Sequence, residues 1–137
     1  DRPTGPAFTE FRVETDDMSP QTQSLYPASI SQGSTVETVV TNHEGHAEDY
    51  AVVAVLQDVT RSDGEVTVQS ASVIGQTSVT VDAGAQRRVP VELAPSGSGE
   101  RRLVFLLYRD GVPENPTSET AYRSLRLRVS VGGGSSG

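Results

Sequence analysis

Both histidines of the chain lie close to three carboxylates in one short segment, His43-Glu-Gly-His46-Ala-Glu48-Asp49. Zinc proteases bind their metal with two histidines four residues apart on one helix face and a glutamate between them. Here the histidines are three residues apart, and Gly45 favours a turn between two predicted strands. We therefore expect a solvated hairpin loop, with an adventitious metal site as the alternative.

A pair of adjacent aspartates, Asp16 and Asp17, could join Glu14 or Glu48 in an oxygen-lined calcium site. The spacing is not that of an EF-hand, and neighbouring aspartates arise easily in a chain with 18 acidic residues. A solvated loop is therefore the expected interpretation, and calcium binding is the alternative.

Five of the arginines fall in two groups, Arg101-Arg102 and the series Arg123, Arg126 and Arg128. They could bind an anionic polymer such as a surface glycan. We favour cross-strand ion pairs, because outward strand faces normally carry such pairs. The expected carboxylate partners are Glu37, Glu65 and Glu92.

Signatures of nucleophilic and phosphate chemistry are absent from the sequence. It has no Gly-x-Ser-x-Gly elbow and no phosphate-cradling glycine loop, and two histidines in one loop leave little for a catalytic triad. We therefore predict that the protein is not an enzyme and has no catalytic residues, no cofactor and no metal site.

The charge composition indicates an environment. The 11 basic residues are all arginine, they stand against 18 acidic ones, and the net charge is -7. An acidic surface stays hydrated at molar salt, so this composition favours a halophile, whereas a GC-rich genome would explain the missing lysine but not the acidic excess. Nucleic acid would be repelled, and no apolar run approaches the roughly 20 residues of a membrane span.

The elements that position these residues are predicted to be strands, because apolar residues recur with period two between stretches rich in Gly, Ser, Asp and Pro. Helix is nearly absent. The predicted strands are Phe8 to Thr15, Thr35 to Asn42, Tyr50 to Val59, Val66 to Ile74, Ser78 to Val81, Arg88 to Leu93, Leu103 to Arg109, and Leu125 to Val131.

Burial patterns along the strands predict how they are layered. The last strand carries leucine or valine at alternate positions, so one of its faces should be buried. Tyr50 to Leu56 and Leu103 to Tyr108 are apolar on both faces and should be central strands. The pattern predicts an all-β fold, an antiparallel immunoglobulin-like β-sandwich of seven to eight strands. We expect a single domain over residues 1–131 and a flexible Gly/Ser tail over 132–137.

Two long connections interrupt the strands. Val112 to Tyr122 is bracketed by prolines, and Thr117 or Ser118 could cap a short helical turn within it. We expect an ordered interaction loop here, with the contact residues Pro113, Glu114, Asn115, Pro116 and Tyr122. Asp16 to Gly33 is predicted to cross irregularly between strands.

A resemblance to a known family rests on several segments taken together. Val36 to Gly45, Tyr50 to Leu56 and Val81 to Leu93 resemble an adhesion-type immunoglobulin-like module. The further segments are Asn42-His-Glu-Gly45, Phe105-Leu-Leu-Tyr108-Arg, Pro113-Glu-Asn-Pro116-Thr and Ala121-Tyr122-Arg-Ser-Leu125. The whole, from Phe8 to Val131, is similar to the extracytoplasmic domain of the haloarchaeal domain-of-unknown-function family 1616. The longer members carry membrane helices before this domain, whereas this sequence contains none, and the resemblance implies no reaction.

Two functional hypotheses follow. The first is an extracellular structural or adhesive module of a haloarchaeal cell surface, joined to copies of itself or to another surface protein in a filament or layer. Its contacts would be strand edges, and the predicted assembly segment is the N-terminal strand with Phe8, Phe11 and Val13. The alternative is an accessory domain of a membrane-associated complex that binds sugar or calcium.

Overall fold

The computed structural model of the protein describes residues 8–13, 28–95, 97–109 and 111–132. Eight strands account for most of this part of the chain. They are β1 (Phe8–Val13), β2 (Ala28–Ile30), β3 (Thr35–His43), β4 (Glu48–Ser62), β5 (Glu65–Val81), β6 (Gln86–Glu92), β7 (Gly99–Arg109) and β8 (Arg123–Val131).

The strands form two sheets that pack face to face. The first has the order β1-β3-β6, and the second has the order β2-β8-β7-β4-β5. All neighbours pair antiparallel except β2, which runs parallel to β8. The predicted all-β sandwich is therefore confirmed, with one parallel pair at the margin of the larger sheet.

The two segments predicted as central strands do lie in the middle of the larger sheet, in β4 and β7, and every residue from Tyr50 to Leu56 and from Leu103 to Tyr108 is buried. Their inner faces contribute to the core between the sheets. Their outer faces form a second apolar cluster of Ala51, Val53, Val55, Val104, Leu106 and Tyr108, which we call the outer cluster. Both faces of these strands are thus dry, as their sequence requires.

Strand β8 also follows its predicted alternation. Val129 and Val131 are buried and Leu125 and Leu127 are partly buried, whereas the arginines between them face solvent. The leucines of this strand pack against the core between the sheets.

Two predictions about the strands were wrong. The three residues of β2 lie inside the segment that was predicted to cross irregularly, and they were missed because so short a strand shows no periodicity. The predicted strands Val66 to Ile74 and Ser78 to Val81 are one strand, β5, of 17 residues. Gly75 does not end this strand. A Cβ there would lie 2.6 Å from the carbonyl oxygen of Glu92, so glycine permits the close approach of the end of β6.

The far half of the β4–β5 hairpin extends beyond the rest of its sheet. β4 pairs with β7 only as far as Gln57, and from Asp58 to Ser62 its pairing is with β5 alone. Residues 65–73 of β5 are all exposed. We call residues 58–73 the arm. Residues 1–7, 14–27, 96, 110 and 133–137 lie outside the described residues, and they include all of the predicted tail except Gly132.

Asn42 fastens the two turns at one end of the sandwich. Its fully buried side chain donates hydrogen bonds to the carbonyl oxygens of His46 (2.8 Å) and Val81 (2.9 Å), and it accepts one from the backbone N–H of Glu44 (2.7 Å). Its own backbone bonds to Gly84 and Ala85. One amide therefore connects the β3–β4 turn with the β5–β6 turn.

The substitution Asn42→Ala should lower the free energy of unfolding by about 3 kcal/mol, because a buried polar group left without its partner costs about 1 to 3 kcal/mol. Urea titration followed by circular dichroism measures the change. Asn115→Ala is the matched control, since Asn115 is exposed and should change stability by less than about 0.5 kcal/mol. Equal effects of the two substitutions would contradict this role for Asn42.

Candidate functional site

The two histidines of the candidate metal segment point to different neighbours. The ring of His43 stacks on Phe8 with the ring centres 4.6 Å apart, whereas Nε2 of His46 lies 2.8 Å from a carboxylate oxygen of Glu48. Among the described residues, no group of three or more His, Cys, Asp and Glu side chains could hold a metal ion. Glu14, Asp16 and Asp17 of the candidate calcium site lie outside the described residues.

The expectation of a solvated loop is wrong for Glu44, whose side chain is only 5% exposed. Its carboxylate accepts hydrogen bonds from the hydroxyls of Thr9 (2.7 Å) and Tyr122 (2.6 Å). Because Thr9 donates to Glu44, the hydroxyl of Tyr50, 2.7 Å away, donates to Thr9. Hydrophobic periodicity did not indicate this burial, because Glu44 lies in a turn.

Two arginines complete this group. The guanidinium of Arg109 lies 3.5 Å from Glu44 and 3.7 Å from Glu48, and it also stacks 3.8 Å above the ring of Tyr122. Arg123 lies 4.7 Å from the centre of the same ring and donates to the backbone oxygen of Thr9 at 3.0 Å. We call this set the Glu44 cluster; its members are Thr9, Glu44, Glu48, Tyr50, Arg109, Tyr122 and Arg123.

The electrostatics of the Glu44 cluster favour the ionised form of the Glu44 carboxylate. Burial alone would raise the pKa of Glu44, but the hydrogen bonds from Tyr122 and Thr9 and the charge of Arg109 lower it below its ordinary value. Burial and the nearby Glu44 carboxylate raise the pKa of both Tyr50 and Tyr122. The cluster thus joins β1, the β3–β4 turn and the start of β8 around an ionised carboxylate.

The predicted interaction loop divides into two parts. From Thr117 to Ala121 it forms one tight turn, in which the backbone N–H of Ala121 donates to the carbonyl of Thr117 at 3.1 Å. The hydroxyl of Tyr108 accepts from the backbone N–H of Thr117 (2.9 Å) and lies 2.8 Å from the hydroxyl of Thr120. Val112 and Ala121 pack against the outer cluster. The loop is thus fixed to β7 and covers its outer face.

The five residues predicted as loop contacts are not all together. Pro113, Glu114 and Asn115 are exposed at the tip and Pro116 is partly buried, whereas Tyr122 belongs to the Glu44 cluster. In the predicted assembly segment, Phe11 is buried in the core, and Phe8 and Val13 are partly buried. All three lie on β1, which pairs with β3 at one margin of the smaller sheet.

The structure groups the arginines differently from the two groups seen in the sequence. Arg123 joins the Glu44 cluster, and the remaining four line a surface cavity of about 230 Å³ together with Val59, Glu100 and Leu127. We call it the arginine cavity; its arginines are Arg101, Arg102, Arg126 and Arg128.

The ion pairs seen among the described residues differ from the predicted ones. Glu37 pairs at 3.3 Å with Arg88, an arginine outside both predicted groups. Arg128 instead pairs with Glu100 at 2.8 Å, a partner that only the strand register could have identified. Arg102 donates to the side-chain oxygen of Gln57 at 2.7 Å.

Replacing Glu44 by Gln should remove a part of the stability that depends on pH. A lowered folded-state pKa stabilises the protein above the unfolded-state value of about 4.5, and this contribution is lost as the pH falls through the folded-state pKa. The free energy of unfolding of Glu44→Gln should be lower than that of the parent protein by about 1 to 2 kcal/mol at pH 7, and the difference should shrink in acid.

Urea titrations of both proteins at several pH values in molar salt measure this difference. Glu119→Gln, on the exposed face of the loop, is the control and should track the parent protein. A variant that is more stable than the parent at pH 7 would mean that desolvation outweighs the hydrogen bonds of Glu44.

Solved structures with a similar fold include three β-glucosidases. The enzyme from Listeria innocua in complex with glucose is 17% identical, with a TM-score of 0.55 over 93% of this chain and 16% of its own. The enzyme from Streptomyces venezuelae is 17% identical, with a TM-score of 0.53, over 90% of this chain and 15% of its own. The enzyme from Erythrobacter marinus is 15% identical, with a TM-score of 0.56, over 92% of this chain and 16% of its own.

This chain therefore corresponds to a small part of each glucosidase, and at these identities the likeness shows the fold alone. No helix in the described residues is long and apolar enough to cross a membrane. No curated protein matches the sequence. A family model does match it, over residues 3–130, and the chain belongs to that family, which is described as a domain of unknown function (DUF1616).

Proposed function

We propose that the protein is a non-enzymatic structural or adhesive module, an immunoglobulin-like domain on the extracellular surface of a halophilic archaeon, which joins copies of itself through the edges of its sheets. The acidic, lysine-free composition supports the saline environment. The hydrogen-bonded state of the Glu44 cluster supports a role without catalysis. The observation that carries the assembly proposal is the composition of β5.

β5 is an edge strand without a charged residue from Val66 to Val81. Open strand edges invite pairing, and proteins usually protect them with charges, prolines or short strands. The other three edges have such protection. β1 carries Glu10 and Arg12, β6 carries two arginines and Pro90, and β2 has three residues. Irregular pairing at two points twists β5 but adds no charge to it.

The arm is the open part of this edge. Near Gly75 the edge is covered, because the backbone N–H of Ala94 donates to the carbonyl of Ile74 at 2.8 Å. Within the arm, Val66, Val68 and Val73 are 44%, 43% and 48% exposed. Their register against β4 places all three on the face that carries the outer cluster. A two-stranded ribbon with exposed valines is marginally stable alone, so a third and fourth strand would stabilise it.

A second copy of the chain is the partner that this edge fits. In molar salt, where the Debye length is only about 3 Å, two copies that each carry a net charge of -7 repel each other only where like charges come into contact. Because β5 carries no charged residue from Val66 to Val81, two identical chains can pair along this edge without placing like charges opposite each other. Antiparallel pairing of β5 with its copy about a two-fold axis makes a closed, isologous contact and joins the exposed valines of both arms.

A single cysteine on the arm tests this contact, since the chain has no cysteine of its own. In a two-fold contact centred on the arm, a residue near the axis lies opposite its own copy, within the 4.4 to 6.8 Å between Cα atoms that a disulfide spans. Under mild oxidation in molar salt, Ala71→Cys should form a covalent dimer. The relative rates at which Val68→Cys and Val73→Cys form disulfide-linked dimers should identify the register in which the two β5 strands pair.

Ala83→Cys is the matched control, because Ala83 is also an exposed alanine but lies in the turn after β5. Non-reducing electrophoresis over time measures the rates. The β5 contact would be disproved if none of the three arm variants formed a dimer faster than Ala83→Cys.

A further inference from the structure

We propose a second contact between copies, in which the arginine cavity of one molecule receives the acidic loop tip of the next. This inference rests on self-assembly as the proposed function, but it uses a different surface from the β5 edge. The loop tip is defined by residues 113–119, and its carboxylates are those of Glu114 and Glu119.

The arginine cavity concentrates positive charge in an acidic chain. Four arginines and one glutamate line it, so it is cationic while the whole chain carries -7. Arg102 and Arg128 are directly opposite each other on β7 and β8. Like charges in such a pair are destabilising; Glu100 pairs with Arg128, and Gln57 accepts a hydrogen bond from Arg102. An incoming carboxylate would relieve this repulsion and could accept two parallel N–H bonds from one guanidinium.

The loop tip offers the complementary charge in a fixed position. Both Glu114 and Glu119 are exposed, and within the described residues neither forms an ion pair. The hydroxyl of Tyr108 holds the turn at Thr117, and Val112 and Ala121 anchor the loop on the outer cluster. Because the loop is already ordered, little conformational entropy is lost when it docks.

The two surfaces lie at opposite ends of one strand pair. The loop joins the end of β7 to the start of β8, whereas the arginine cavity lies where β7 begins and β8 ends. From Arg102 to Arg109 the separation along β7 is roughly 23 Å at about 3.3 Å per residue. Since the docked surfaces differ, the contact is heterologous and repeats from copy to copy along a line. Together with the two-fold β5 contact, it would extend the assembly in a second direction.

Charge reversal of each surface provides the test. The loop variant is Glu114→Arg with Glu119→Arg, and the cavity variant is Arg126→Glu with Arg128→Glu. Both are made in an Ala71→Lys background, where a lysine from each copy meets at the two-fold axis and blocks the β5 contact. Thermal unfolding confirms that each variant is folded, and sedimentation velocity measures association in dilute and in molar salt.

The Ala71→Lys protein should form oligomers that lengthen with concentration. Each charge-reversed variant alone should lose association by about tenfold or more, because its two docking surfaces now carry the same charge. An equimolar mixture of the two variants should oligomerise again, since each cavity then meets a loop of opposite charge. The double variant Asp82→Arg with Glu92→Arg, which changes net charge as the loop variant does, should associate like the Ala71→Lys protein.

Failure of the mixture to oligomerise overturns the inference, as does a monomeric Ala71→Lys protein. Polyglutamate added to that monomer would then show whether the cavity binds a free anionic chain, which also contradicts docking of the loop. These outcomes are independent of the cysteine test, because cross-linking through Ala71→Cys reports only the β5 contact.

Discussion

The fold depends on two strands that must be buried on both faces. β4 and β7 carry apolar residues at consecutive positions, so neither face tolerates water. The smaller sheet covers the inner face, and the loop from Val112 to Ala121 covers part of the outer one. Burial on both sides explains why a chain with only 34% hydrophobic residues has a coherent core. It also leaves few apolar residues to cover the arm.

The Glu44 cluster closes one end of this arrangement. A carboxylate removed from water is tolerated only when hydrogen bonds and charges compensate its desolvation. Two hydroxyls and Arg109 do so here, and they come from β1, β7 and the segment before β8. Asn42 supports the same turn through its bond to the backbone of Glu44.

The hydrophobic periodicity of the sequence predicted those features of the fold that depend on the burial of regular strands. The central positions of β4 and β7 and the half-buried face of β8 were predicted correctly because each is visible as spacing along the sequence. The length of β5 was not predicted correctly. In the sequence Gly75 suggests the end of a strand, and only the structure shows that a glycine is needed there because the carbonyl of Glu92 lies so close. Glu44 and the arginine cavity depend on residues far apart in the chain, which only the strand register brings together. The sequence showed these residue types but not their neighbours.

The proposed assembly through the β5 edge would use residues 66–73, the uncharged stretch of the arm, in which every residue is exposed. Amide hydrogen exchange measured across a range of protein concentrations in molar salt tests it most directly. Amides of β4 and β7 that lie in the core should exchange slowly at every concentration. Amides of residues 66–73 should exchange rapidly in dilute protein and become protected as its concentration rises. Rapid exchange in the arm at all concentrations would contradict assembly through this edge.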